Sequence, residues 1–227
     1  MSISSGDNVL ELGCGNGVLW QINIDRIPNH VRIILSDFSE GILSNARNNL
    51  QEYNKQFHYE AVDVQNIPYT DEKFDVVIAN HMLYHVPDIN QALTEVNRIL
   101  KPGGYFYAST IGNEHMKELD MLIKGFEPTT DFSVERYTKR FGLENGKKLL
   151  SNFFEDVSCH LYDDYLVVDN AEPIVSYFLS SPGDITSVLA GEKLDHFYHY
   201  VQEKIRIQKE MKITKSTGLF IARKGLV

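Results

Sequence analysis

Short apolar runs alternate with amphipathic stretches along the first half of the chain. Asn8-Val9-Leu10-Glu11-Leu12 is one such run; it stops at a glycine-rich turn, after which Gly17 leads into Val18, Leu19, Trp20 and Ile22. That order reads as strand, tight loop, helix. Pro28 and Asn29 interrupt the pattern, and Val31 to Leu35 resumes as a buried strand. Ser39 can cap a helix that carries Ile42, Leu43, Ala46 and Leu50 at helical spacing. Tyr59 to Val64 reads as a third strand, Phe74 to Ala79 as a fully buried fourth, and Ile89 to Leu100 as a helix with Leu93, Val96, Ile99 and Leu100 on one face. Lys101-Pro102-Gly103-Gly104 is a helix stop and tight turn before a fifth strand, Tyr105 to Thr110.

Strands that alternate with helices imply a parallel sheet with right-handed crossovers, and helices on both faces explain why Val76-Val77-Ile78 is apolar without alternation. The expected architecture is doubly wound α/β. Beyond Ile111 the pattern loosens. Glu114 to Lys124 reads as helix, Pro128 to Phe132 as loop, Leu143 to Phe154 as an amphipathic helix and Val157 to Val168 as a long strand. Glu172 to Leu179 and Lys193 to Lys209 read as helices around the break Ser181-Pro182-Gly183, and Lys212 to Arg223 as a last strand.

The 227 residues suffice for one buried core with additions, and 43% hydrophobic and 23% charged residues are ordinary for a globular protein. No run approaches the roughly 18 apolar residues of a membrane span, and MSISSGDN at the start is not a secretory leader, so a cytoplasmic protein is expected. A net charge of -9 disfavours a protein that neutralises nucleic-acid phosphates. The basic pairs Lys139-Arg140 and Lys147-Lys148 read as solvated helix faces. Cys14 and Cys159 read as reduced thiols.

The chemistry concentrates in Glu11-Leu12-Gly13-Cys14-Gly15-Asn16-Gly17, where glycines at alternate positions join strand to helix. Glycine permits positive φ and lets a ligand approach main-chain amides. The third glycine arrives one residue too early for the G-x-G-x-x-G of a dinucleotide fold, which weakens a nicotinamide reading. Asp37 ends the second strand 20 residues beyond Gly17, a position that suits the hydroxyls of an adenosine ribose, although it could equally serve a helix N-terminus. Asp63 stands where it could accept from an adenine amino group between the apolar walls Val64 and Phe38, or be a solvated loop aspartate.

These segments, with Leu35-Ser36-Asp37-Phe38-Ser39, Ala61-Val62-Asp63-Val64, Ile67-Pro68, Phe74 to Asn80 and Leu100 to Gly104, fall in the order and spacing of the class I S-adenosylmethionine-dependent methyltransferases. The chain most resembles the small-molecule enzymes called methyltransferase type 11 or UbiE-like. The resemblance implies a Rossmann-like, mostly parallel seven-stranded sheet with an antiparallel C-terminal hairpin and a helical cap. It assigns the amino-acid end of S-adenosylmethionine to Glu11, Gly13, Cys14 and Gly15, the ribose to Asp37, the adenine to Asp63, Val64 and Phe38, and the methionine portion to the backbone around Asn80. On this plan 1–112 is the cofactor-binding core, 113–138 a cap segment, 139–168 the core continued, 169–210 a helical cap insertion and 211–227 the last strand.

Methyl transfer is direct displacement, so alignment and water exclusion can suffice. If a general base is needed, His81, Tyr84 and His85 lie just past the fourth strand, though His85 could simply pack the turn before Pro87. His81 and His85 have zinc-like i, i+4 spacing on a helix but no third ligand, so no metal is expected. The aromatic run His196 to Tyr200, with Tyr177 and Phe178, reads as core before it reads as an acceptor pocket. The expected partner is a small-molecule acceptor. Family members usually carry several tens of residues before the glycine motif; either the sequence is a truncated form or the site is closed by something else, and self-association that masks the apolar surface is the expectation in the second case. A non-catalytic binder of the same cofactor is the alternative.

Overall fold

The computed structural model describes residues 1–53, 57–181 and 185–226, so Pro182-Gly183 of the anticipated break lies outside the described residues. The elements are β1 (Asn8–Leu12), α1 (Val18–Ile22), β2 (Arg32–Asp37), α2 (Glu40–Leu50), β3 (Phe57–Ala61), β4 (Phe74–Asn80), α3 (Ile89–Ile99), β5 (Leu100–Ile111), α4 (Lys117–Phe126), α5 (Glu135–Phe141), α6 (Gly146–Leu150), β6 (Glu155–Val168), α7 (Glu172–Ser180), α8 (Ile185–Val188), α9 (Glu192–Gln208) and β7 (Met211–Arg223). The sheet order is β3-β2-β1-β4-β5-β7-β6, with β1 to β5 parallel. β7 lies between β5 and β6, the Lys224 amide just past β7 donates to the Gly104 carbonyl of β5 at 2.9 Å, and β7 with β6 forms the antiparallel C-terminal hairpin. This is the doubly wound α/β sheet that the periodicity implies, with the Rossmann-like order and antiparallel hairpin that the resemblance implies.

Connections after β1 and β4 leave toward opposite ends of the strand order, which makes the carboxyl ends of these neighbours the topological switch point. Open α/β sheets bind their ligands there.

The chain divides into two compact units. The first comprises Met1–Ile111, Tyr137–Leu161 and Gly218–Val227; the second comprises Gly112–Arg136 and Tyr162–Thr217. In the first unit both sheet faces are dry. Leu10, Leu12, Val77, Ala79, Phe106 and Ala108 pack with Leu93, Val96 and Ile99 of α3 on one side. Val9, Val76, Ile78 and Tyr107 pack with Trp20 and with Leu43, Ala46 and Leu50 of α2 on the other. Two-sided burial is why these strands carry no polar alternation. Capping follows the sequence: the Ser39 hydroxyl accepts from the Ile42 amide at 3.4 Å, and the Asp88 carboxylate from the Gln91 amide at 3.0 Å. The second unit has its own core, in which Phe197 meets Phe178 and Phe126 edge-on at 5.3 and 5.1 Å, so the centre of the aromatic run is packed interior.

Three sequence expectations change, and one helix appears that none anticipated. The third strand runs from Phe57 to Ala61, not to Val64, and as a sheet edge it alternates between half-buried and exposed positions. The Val62 amide still bonds the Asp37 carbonyl of β2 at 3.1 Å, and the chain leaves the sheet after it. Lys101 to Gly104 is drawn into β5 instead of standing before it; Gly104 lies so close to the Lys101 and Asp75 carbonyls that a Cβ there would sit 2.9 and 3.0 Å from them. The helix anticipated over Leu143 to Phe154 is only α6, because Gly146 is pressed against the Phe220 ring and the chain turns at Ser151. Finally, α5, on which the sequence pattern was silent, precedes it.

Candidate functional site

The glycine turn is built by backbone that only glycine adopts readily. Gly13, Gly15 and Gly17 have φ of 65°, 57° and 79°. Two of them are also pressed from behind. A Cβ on Gly13 would lie 2.9 Å from the Cβ of Met82, and one on Gly17 would lie 2.9 Å from a Leu50 methyl. Gly15 differs, since a Cβ there would meet nothing within 4 Å. The loop therefore turns its Gly15 backbone toward open space at the end of β1.

Asp37 ties this loop to the end of β2. One carboxylate oxygen accepts from the Gly15 amide at 3.3 Å, the other from the Ser39 amide at 3.0 Å. The Cys14 amide donates to the Ser36 carbonyl at 2.8 Å, and the buried Ser36 hydroxyl donates to the Glu11 carbonyl at 2.7 Å. A carboxylate has about four acceptor positions, so Asp37 retains capacity toward solvent. Cys14 is buried and its thiol is pushed up to about 12 by desolvation, helped by the negative charges of Glu11 and Asp37. It is a backbone element of the turn, not a reactive thiol.

Glu11 is the unusual group. Only 2% exposed, it accepts from the Trp20 indole at 2.6 Å and from the Asn80 amide at 3.4 Å. Burial raises its pKa to about 7, against the lowering effect of the Trp20 and Asn80 hydrogen bonds. The bond to Asn80 crosses the switch point and joins the ends of β1 and β4. A cation held near Glu11 would offset its desolvation.

Asp63 closes a turn after β3, its carboxylate accepting from the Gln65 amide at 2.9 Å. Val64 is buried in the core at 6% exposure, whereas Phe38 is 79% exposed. The two anticipated apolar walls therefore differ in kind: one is rigid, the other a solvent-facing ring.

Past β4, His81 takes a left-handed conformation (φ 51°) and Leu83–His85 forms a single 3-10 turn. The i, i+4 histidine pair thus does not share a helix. Tyr84 packs against His85 at 4.6 Å and lies 6.5 Å from His81, measured between ring centroids. Desolvation lowers the pKa of His81, and that of His85 too, where Arg140 adds to the effect; both imidazoles are neutral near pH 7 and able to accept a proton. Tyr137 of α5, which sequence reasoning missed, packs on both Tyr84 and His85. Trp20, as the donor to Glu11, was also missed, since an apolar-looking position in α1 gave no sign of its polar edge. Among the described residues no group of three His, Cys, Asp or Glu side chains could hold a metal ion, and no helix is long and apolar enough to cross a membrane.

Residues 3–156 match the family model described as a methyltransferase domain. The chain belongs to that family. By family and fold it belongs with the class I S-adenosylmethionine-dependent methyltransferases. Similar curated proteins include the biotin biosynthesis bifunctional protein BioHC of Teredinibacter turnerae, 33% identical over 51% of this chain and 21% of the relative. The demethylmenaquinone methyltransferase of Lactobacillus johnsonii is 33% identical over 46% of this chain and 43% of its own. The chain spans half or less of the length of the curated relatives it matches. Among solved structures, the YcgJ protein of Bacillus subtilis superposes with a TM-score of 0.65 at 17% identity, covering 99% of this chain and 94% of that one, a likeness of fold alone.

Proposed function

We propose that the protein transfers a methyl group from S-adenosylmethionine to a small-molecule acceptor by direct displacement. The observation that carries this reading is the open Gly15 backbone, hinged to Asp37 at the switch point. Glu11, Gly13, Cys14 and Gly15 hold the amino-acid end, where the buried Glu11 carboxylate complements an ammonium group. Asp37 accepts from the ribose hydroxyls with the lone pairs its two amide bonds leave free. Asp63 accepts from the adenine amine, Val64 backs the ring and Phe38 folds over it. The backbone at Asn80 contacts the methionine portion. When bound, the cofactor supplies an electrophilic methyl on a sulfonium.

His81, Tyr84 and His85 then face the acceptor. The two histidines, held neutral, can take a proton from a hydroxyl acceptor as the methyl arrives, or from an ammonium acceptor beforehand, which frees the nitrogen lone pair for attack. Tyr84, braced by His85, positions the acceptor and excludes water. Likeness to relatives named demethylmenaquinone methyltransferase and ubiquinone biosynthesis O-methyltransferase supports the acceptor class, and an acidic chain is a poor match for nucleic acid.

The test is incubation with S-adenosylmethionine carrying a deuterated methyl group and a small-molecule extract, read by mass spectrometry. Labelled products that disappear in Asp37→Ala are the expected result. Cofactor binding with no labelled product from any extract would overturn catalysis in favour of a non-catalytic binder.

A further inference from the structure

Helix α5 brings to the turn after β4 a cation that the methyl-transfer reading leaves unused. Tyr137 closes a triangle of rings with Tyr84 and His85, with centroid separations of 4.6, 5.5 and 5.4 Å and tilted or edge-on geometry. Rings so close touch one another and leave no room for a guest, so the triangle is a packed wall and not a cage. Arg140 follows Tyr137 by three residues and so shares its side of the helix. Tyr137 packs on His85 at 5.4 Å between ring centroids, which brings this stretch of α5 to the turn, and the positive charge of Arg140 opposes protonation of that imidazole.

Arg140 is exposed, and among the described residues no carboxylate pairs with it. Other cations of the same unit are satisfied: Arg98 pairs with Asp71 and Glu95, and Lys101 with Asp75. In a chain with 31 acidic and 22 basic residues, an exposed arginine one helical turn beyond the Tyr137 edge of that wall, and without a carboxylate, is suited to an anion from outside the chain. The guanidinium fork matches a carboxylate or phosphate in bidentate fashion, and the wall of Tyr84, His85 and Tyr137 suits the carbon frame that bears it.

We propose that Arg140 is an oxyanion subsite that takes the carboxylate or phosphate group of the methyl acceptor, with Tyr84, His85 and Tyr137 packed against the acceptor's body. This rests on the reading that residues 81–85 face the acceptor. The subsite selects among acceptors and takes no part in the displacement.

The test is calorimetric titration of the protein, saturated with S-adenosylhomocysteine, with benzoate, phenyl phosphate and the neutral probe benzyl alcohol. Both anions, or one of them, should bind at least about tenfold more tightly than benzyl alcohol, as a charge-assisted hydrogen bond implies. The stronger of the two identifies the headgroup. Arg140→Gln should abolish the preference, Arg140→Lys should keep part of it, and both should leave S-adenosylhomocysteine affinity unchanged. Equal binding of charged and neutral probes, anion binding that survives Arg140→Gln, or no probe binding at all would overturn the subsite alone. Failure of S-adenosylhomocysteine to bind would overturn the cofactor site and the subsite with it.

Discussion

Glu11→Gln should change how stability depends on pH, and the structure gives the size of the effect. The Glu11 carboxyl titrates at 4.5 when exposed, as in the unfolded chain, and at about 7 when folded, because burial disfavours its charge. Between these values the folded state holds a proton that the unfolded state has released, so folding stability falls as pH rises from about 4.5 to 7 and then levels off. At about 1.4 kcal/mol per pH unit the whole effect is about 3 kcal/mol, of which about 2–3 kcal/mol falls between pH 5 and pH 8. Glutamine keeps an acceptor for the Trp20 indole and removes the titration. Stability of Glu11→Gln relative to the parent should therefore rise by about 2–3 kcal/mol from pH 5 to pH 8. For a chain of this size that corresponds to a melting-temperature gap that widens by about 4–12 °C. Urea unfolding of both proteins at the two pH values, without cofactor, measures it. A gap of equal size at pH 5 and pH 8 would refute the reasoning and show that the Glu11 carboxyl titrates normally in its buried site.

Further outcomes follow from the same contacts. S-adenosylhomocysteine binding near pH 6.5 should release a proton from Glu11, seen as a binding enthalpy that changes with the ionisation enthalpy of the buffer; a buffer-independent enthalpy speaks against an ammonium group beside Glu11. Gly13→Ala places a Cβ at φ 65° and 2.9 Å from Met82, so it should destabilise the protein by about 2–3 kcal/mol in chemical denaturation. Gly15→Ala meets no atom and should destabilise by only about 1–2 kcal/mol, while S-adenosylhomocysteine affinity falls at least about tenfold by calorimetry. Arg98→Ala removes the cation that binds Asp71, Glu95 and the Ile67 and Tyr69 carbonyls, and should lower stability by about 1–3 kcal/mol in urea titration.

What could be read from the sequence was whatever rests on short-range pattern. The strands from Asn8 to Asn80, the Ser39 cap and the glycine turn are local features, and each appears near its anticipated place. Pairs that depend on distant approach were not legible. The bond from Trp20 to Glu11 joins an apolar-looking helix position to a strand, and nothing in a one-dimensional pattern marks the indole as a donor to that carboxylate. Phe57 to Ala61 ended early because edge position, a property of strand order, decides where pairing stops. Likewise α5 has too few apolar positions to announce itself, and its part beside His85 emerges only once Tyr137 is placed.

Calorimetric titration of S-adenosylhomocysteine into the parent and Asp37→Ala tests the central claim most directly. Saturable binding at one site in the parent, weakened at least about tenfold in the variant, is the predicted result. Equal affinity in the two proteins, or no binding to the parent, would contradict the placement of the cofactor on the Gly15 turn.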